Sequence, residues 1–288
     1  MNHAEPLRIE IDFRLDDQWP ALRSFLTRAS AIITPANRRP WVLDTRNCGY
    51  LGPDAAVLIA GLFDRDRERG RGPRVLLPEE PEPLKAFCTF VGLTHRVERG
   101  VRPRQDHPRS ETVPLHTYFQ PIANAERKVV LLVRNHFPNL TEDAAMALGV
   151  AVNEVIQNVC DHAESPVGAI MAARYFQNRR DVRVAILDLG VGIPRTLSRV
   201  RPEASDPEQA LRLVVPGGVS SRSKANNMGL GISNLVDQVR GRRGEMLLMS
   251  AGAAAVLDRD GVVRYERLPI DFPGTGVFFR MAIDDDDL

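Results

Sequence analysis

The apolar residues of the first hundred positions switch back and forth between two periods, and that alternation restricts this part of the chain to an α/β layer. Trp41 to Asp44 is a short apolar run, as a buried strand requires. Pro53 to Arg69 follows with Val57, Leu58, Gly61 and Leu62 at helical spacing and a charged far end. Arg74 to Leu77 reads as a second strand, and Leu84, Phe87, Cys88 and Val91 return to the helical period before Gly92. From Arg99 to Pro114 the periodicity stops; the stretch is polar, contains prolines and reads as a linker. A chain of 288 residues accommodates two domains of ordinary size. The expected division is a first domain over 1–98, a linker over 99–114, a second domain over 115–284 and an acidic, solvated tail over 285–288.

The second half opens with a helical stretch, Ile122 to His136, broken at Pro138 and Asn139. Thr141 has the chemistry of an N-cap, and Glu142 and Asp143 complement the dipole of the helix it starts. That helix is expected to run to about Asp161, with Met146, Leu148, Val152, Val155 and Val159 on its apolar side. Strands are expected at Ala169–Phe176 and Val182–Leu187, then an irregular stretch with a helical patch over Arg195–Asn227, and a helix from Gly229. The end reads as β: Glu245–Leu257, a turn at Asp258–Gly261, Val262–Leu268 and Gly276–Ile283.

Composition removes several classes. A formal net charge of +1 gives no electrostatic reason to expect nucleic acid or an acidic surface as partner. Cys48, Cys88 and Cys160 are odd in number and widely spaced, which argues against a zinc site or disulfide framework. Met1 to Asp12 lacks the apolar core of a signal peptide, and no stretch reaches the ~18 apolar residues of a membrane span. A soluble, cytoplasmic protein is expected.

Four short elements carry chemistry. On the helix after Thr141, Glu154 and Asn158 stand four apart and share a face, a polar patch in an otherwise apolar helix. Such a pair is either a solvated stripe or a site for an ion, the Asn oxygen ligating magnesium and the Glu orienting water. Asp188-Leu-Gly190-Val-Gly192 follows the strand ending at Leu187. It is either a plain turn or the edge of a base pocket, the carboxylate accepting from an exocyclic amine while the glycines let the chain pass close to a ring. Asn226-Asn-Met-Gly229-Leu230-Gly231-Ile-Ser-Asn234 puts glycines at a helix start, where free amides and the dipole favour phosphate. Lys224, just upstream, is within reach of a terminal phosphate or is a surface cation. Gly274-Thr275-Gly276 begins the last strand. There is no GxxxxGK[ST] loop.

In this order, over about 120 residues, the four elements resemble the N, G1, G2 and G3 boxes of the GHKL (Bergerat-fold) ATPases, the superfamily of gyrase, heat-shock chaperones, mismatch-repair proteins and histidine kinases. The resemblance implies a mixed sheet with helices on one face and ATP with magnesium bound between the sheet and a lid spanning Arg195 to Met228. It implies that Asn158 ligates magnesium, that Glu154 is the general base and that Asp188 binds the adenine amine with help from Thr275. Gly190, Gly192, Gly229, Leu230 and Gly231 then shape the pocket and phosphate cradle. Val129–Ala163 is similar to the anti-sigma-factor serine kinases, whose ExxxNxxxHA box ends here at His162. No histidine is followed by the acid usual in histidine kinases. The expected activity is a serine/threonine kinase or slow ATPase acting on a protein partner, or an ATP-gated switch with little turnover. The family also implies a possible homodimer.

The first half resembles, more loosely, the STAS domain of anti-sigma-factor antagonists, through Val42–Ile59, Arg69-Gly70 and Phe90–Leu93. Where those antagonists carry a phosphorylatable serine, this chain has Gly52-Pro53-Asp54-Ala55. Asp54 is then either a fixed substitute for phosphoserine or a first-turn acid serving the helix dipole.

Overall fold

The computed structural model describes residues 5–15, 19–34, 38–100, 111–120, 124–137, 140–215 and 230–282. In chain order the elements are β1 (Leu7–Glu10), α1 (Trp19–Arg28), α2 (Ser30–Ile33), β2 (Trp41–Asp44), α3 (Pro53–Glu68), β3 (Arg74–Leu76), α4 (Glu82–Phe90) and α5 (Leu93–Arg99). They continue with β4 (Thr112–Tyr118), α6 (Asn124–His136), α7 (Glu142–His162), β5 (Ala169–Phe176), β6 (Asp181–Leu187), α8 (Gly192–Leu197), α9 (Pro207–Val214), α10 (Leu230–Arg240), β7 (Glu245–Leu257) and β8 (Val263–Ala282). The chain is α/β, with one parallel and one antiparallel sheet: β1-β2-β3 pair in parallel, and β4-β5-β6-β8-β7 are antiparallel at every described pairing. The mixed sheet expected for the second half is therefore antiparallel among the described strands.

Period two decides what each side of the large sheet touches. Met171, Val184, Ile186, Leu248, Val277 and Phe279 join a core with α6, α7, α9 and α10. Their neighbours Ile170, Ala172, Ala185, Leu187, Leu247, Met249 and Phe278 join a second core with α1, α2 and α3. Both faces of the sheet are thus covered, not one, which is why its strands read as unbroken apolar runs.

The helix between the sheets is α3. Every residue from Pro53 to Asp66 is buried, and the stretch Ala55–Phe63 is apolar all round, as a helix packed on both sides requires. Burying Val57, Leu58, Ile59 and Leu62 contributes about 1.5–3 kcal/mol each. The charged far end is not a solvated face. Arg65 bonds Asp66 at 2.8 Å and the carbonyls of Ile32 and Ile33, Asp66 accepts from Trp41 Nε1 at 2.7 Å, and Arg96 of α5 bonds Asp64.

The expected helices and strands around the candidate site are present with shifts of a residue or two at their ends. The Thr141 cap is present, its hydroxyl accepting from Ala144 N at 3.3 Å. The periodicity at 84–91 is α4, which breaks at Gly92 (φ +83°) before α5. β1, α1, α2 and β4 were not expected, and β4 begins inside the stretch read as linker. β8 is one strand where two were expected; it follows β7 through a bulge between Ser250 and Ala253. The tail at 285–288 lies outside the described residues. Among the described residues no helix is long and apolar enough to cross a membrane.

Candidate functional site

Asp188 lies one residue past β6 and is only 1% exposed. Its backbone N–H donates to Thr275 O at 2.9 Å, which prolongs the β6–β8 pairing to the motif at 274–276. Its carboxylate accepts from Gly190 N at 2.7 Å and bonds the Thr275 side chain. Burial outweighs these bonds and pushes the carboxyl up to about 7.

The glycines are required by packing around this turn. A Cβ on Gly190 would run into the Ala163 carbonyl at the end of α7, and one on Gly274 into Asp188 itself. Gly192 has φ +77°, and a Cβ there would stand 2.8 Å from Ser250 Oγ. Their first duty is to let α7, the Asp188 turn and β8 close on one another, rather than to leave room for a ring.

Glu154 and Asn158 share a face of α7, as their spacing dictates, and α10 crosses them. A Cβ on Gly231 would lie 2.7 Å from Glu154 Cβ and 3.3 Å from Asn158 Nδ2, so the glycine fixes that approach. Asn234, one turn on, donates to Glu154 Oε2 at 3.2 Å. Asn158, Asp188, Gly192 and Thr275 meet around one narrow pocket of about 60 Å³. The rest of its lining is mostly apolar, with Val155, Ile186, Ile193, Leu197, Ile232 and Val277, and includes Thr196 and His162. Apolar walls with a buried carboxylate and a hydroxyl at one end suit the edge of a planar heterocycle carrying a donor. The volume is too small to enclose a whole nucleotide.

Lys224 and Gly229 lie outside the described residues, as does the side chain of Leu230. The span Arg195–Met228 is not a lid throughout. Its first part folds as α8, a short turn and α9, with Ala204, Ala210, Leu211 and Val214 buried, and Tyr265 and Ser233 bond the carbonyls of Val215 and Val214. Residues 216–229 lie outside the described set. Among the described residues no cluster of three His, Cys, Asp or Glu could hold a metal by itself. Magnesium needs none where one or two protein ligands and a ligand's phosphates share it.

Sequence reasoning assigned no role to three polar residues here. Ser250 is fully buried; its hydroxyl donates to Gly274 O at 2.8 Å and accepts from Ile193 N at 2.9 Å, tying α8 to the Thr275 segment. Ser165 donates to Gly168 O at 2.8 Å and accepts from Leu189 N at 3.3 Å. Asn234 is the third. A lone serine in an apolar strand is the only trace Ser250 leaves in the sequence.

Asp54 is 5% exposed in the first turn of α3. It lines a cavity of about 350 Å³ with Trp19, Arg183, Glu245 and Arg280, between α1, α3 and the outer face of the large sheet. The turn that resembles the antagonist phosphorylation site therefore meets this chain's own sheet.

No protein-family model and no curated protein matches the chain.

Proposed function

We propose that the chain is an ATP- and magnesium-binding regulatory protein of GHKL type, its antiparallel-sheet half a Bergerat-type module and its first half STAS-like. One observation carries the reading: a buried carboxylate, Asp188, lines a largely apolar pocket together with Asn158 and Thr275, brought there from separate segments, and Glu154 stands one turn before Asn158 on α7. Asp188 and Thr275 would hold the edge of the base, and Asn158 would share magnesium with the phosphates. Bound ATP supplies a transferable phosphoryl group. Glu154, which accepts from Asn234, would take the proton of a water or of a partner's serine or threonine hydroxyl.

Asp188→Ala removes a charge-assisted bond and should weaken ATP by roughly 10–150-fold. Calorimetry on a folded variant with wild-type affinity would remove the base assignment. Asn158→Ala should weaken ATP chiefly when magnesium is present. Glu154→Gln should leave binding nearly intact and slow turnover by ~10²–10⁴-fold. The alternative, an ATP-gated switch with little turnover, gains if wild type and Glu154→Gln are equally inert while nucleotide still changes capture of a protein partner.

A further inference from the structure

The end of β6 faces two ways. Val184 and Ile186 point to the helices, and Asp188 continues that series into the pocket; Ala185, Leu187 and then Leu189 belong to the core around α3. A Cβ on Gly61 of α3 would lie 2.8 Å from Leu187 Cδ2 and 3.5 Å from Leu189 Cδ1. These two leucines flank Asp188 in the chain, so a tight contact of α3 with the sheet falls behind the carboxylate. The helix has little freedom to move alone. It is buried along its length, its far end is bonded to Trp41 of β2 and to α5, and Arg174 of β5 lies over Phe87 of α4 at 4.8 Å. Close-packed interiors of this kind transmit displacement rather than absorb it.

We propose that α3 sets the position of the Asp188–Gly190 turn from behind the sheet, so that the packing state of the three-stranded unit and occupancy of the pocket are coupled. The inference rests on the nucleotide reading for the identity of the ligand only. Linkage makes the coupling reciprocal: a partner that shifts α3 changes pocket affinity, and a ligand in the pocket changes that partner's affinity equally.

The test uses the full chain with Gly61→Val, which wedges the helix against the leucines, and Leu189→Ala, which withdraws the contact from the turn. Ile9→Ala, in β1 of the same core, is the control for general loosening. Two measurements are made: the titration of the Asp188 carboxyl by carbon-13 NMR without nucleotide, and Mg-ATP affinity by calorimetry. Gly61→Val and Leu189→Ala should each move the titration midpoint by roughly half a pH unit or more. They should change affinity by at least about 5-fold, while Ile9→Ala does neither. If Gly61→Val does not fold, Leu189→Ala carries the test. Wild-type midpoints and affinities in the folded variants would overturn the coupling, and so would an equal response from Ile9→Ala. A moved midpoint in a protein that binds no Mg-ATP would uphold the coupling and defeat the nucleotide reading instead.

Discussion

Asp188 pairs a charge-bearing group with almost complete burial, and its titration follows from that. Burial raises its carboxyl to about 7, against the ordinary carboxylate range. From about pH 4 to about 7 the folded chain holds a proton that the unfolded chain has released, so stability falls as pH rises through that window. The loss is absent below it, complete above it, and at most on the order of 4 kcal/mol. Asp188→Asn does not titrate, so in urea titrations it should gain on wild type between about pH 4 and about pH 7. A constant difference would mean that Asp188 does not change protonation in the fold. A donor in the pocket acts in the opposite sense, because it stabilises the carboxylate. Wild-type ATP affinity, relative to Asp188→Asn, should therefore rise with pH through about 7; the comparison cancels the nucleotide's own titration. Ser250→Ala would strand the Ile193 N–H and the Gly274 carbonyl, costing about 1–3 kcal/mol. Loss of less than this in urea would show that water or a rotated Thr275 replaces the hydroxyl.

Among the elements, α3 separates a sequence pattern from its meaning. Its charged end has the composition of a solvated helix tail, yet Asp66 accepts from Trp41, Arg65 and Arg71 while only 1% exposed. Asp66→Ala would leave Arg65 buried beside no carboxylate, a change that typically costs 3–5 kcal/mol. Glu142→Ala removes the exposed pair with Arg134 and should cost about 0–1 kcal/mol. Thermal unfolding of the two variants tests this ordering, and equal losses would contradict the burial of the α3 network. The α7–α10 crossing is the other element with no slack. Gly231 meets the Cβ of Glu154, not the far end of a flexible chain, so even an added methyl must part the helices.

For the whole molecule, the decisive fact is that the outer face of the large sheet is part of a core shared with the three-stranded unit. Ile170, Leu187, Leu247, Met249 and Phe278 all lie in it. A fragment covering 111–288 would expose them together, a contiguous apolar surface that monomers rarely tolerate. It should bind a hydrophobic dye and self-associate more strongly than the full chain. A monomeric fragment that unfolds cooperatively would mean that the shared core adds little. Asp54 belongs to the same scale. It lines the cavity between α1, α3 and the large sheet.

The sequence by itself determined much of the local structure. Apolar period placed β2, α3, α7, β5 and β6 within a residue or two, because packing on one or two sides leaves its period in the residues. Spacing put Glu154 and Asn158 on one face, since a helix leaves no other arrangement at that separation. Glycine and aspartate marked the Asp188 turn, where other side chains would meet backbone. What only the tertiary structure decided is which faces meet. A buried ion pair and a solvated one have the same composition, so the α3 network was not legible. β4 lay unread, because its sequence continues from a polar, proline-containing stretch and itself contains Pro114, His116 and Thr117. The convergence of α7, β6, α10 and β8 on one pocket, and the seating of α3 behind it, depend on long-range packing, which no local period encodes.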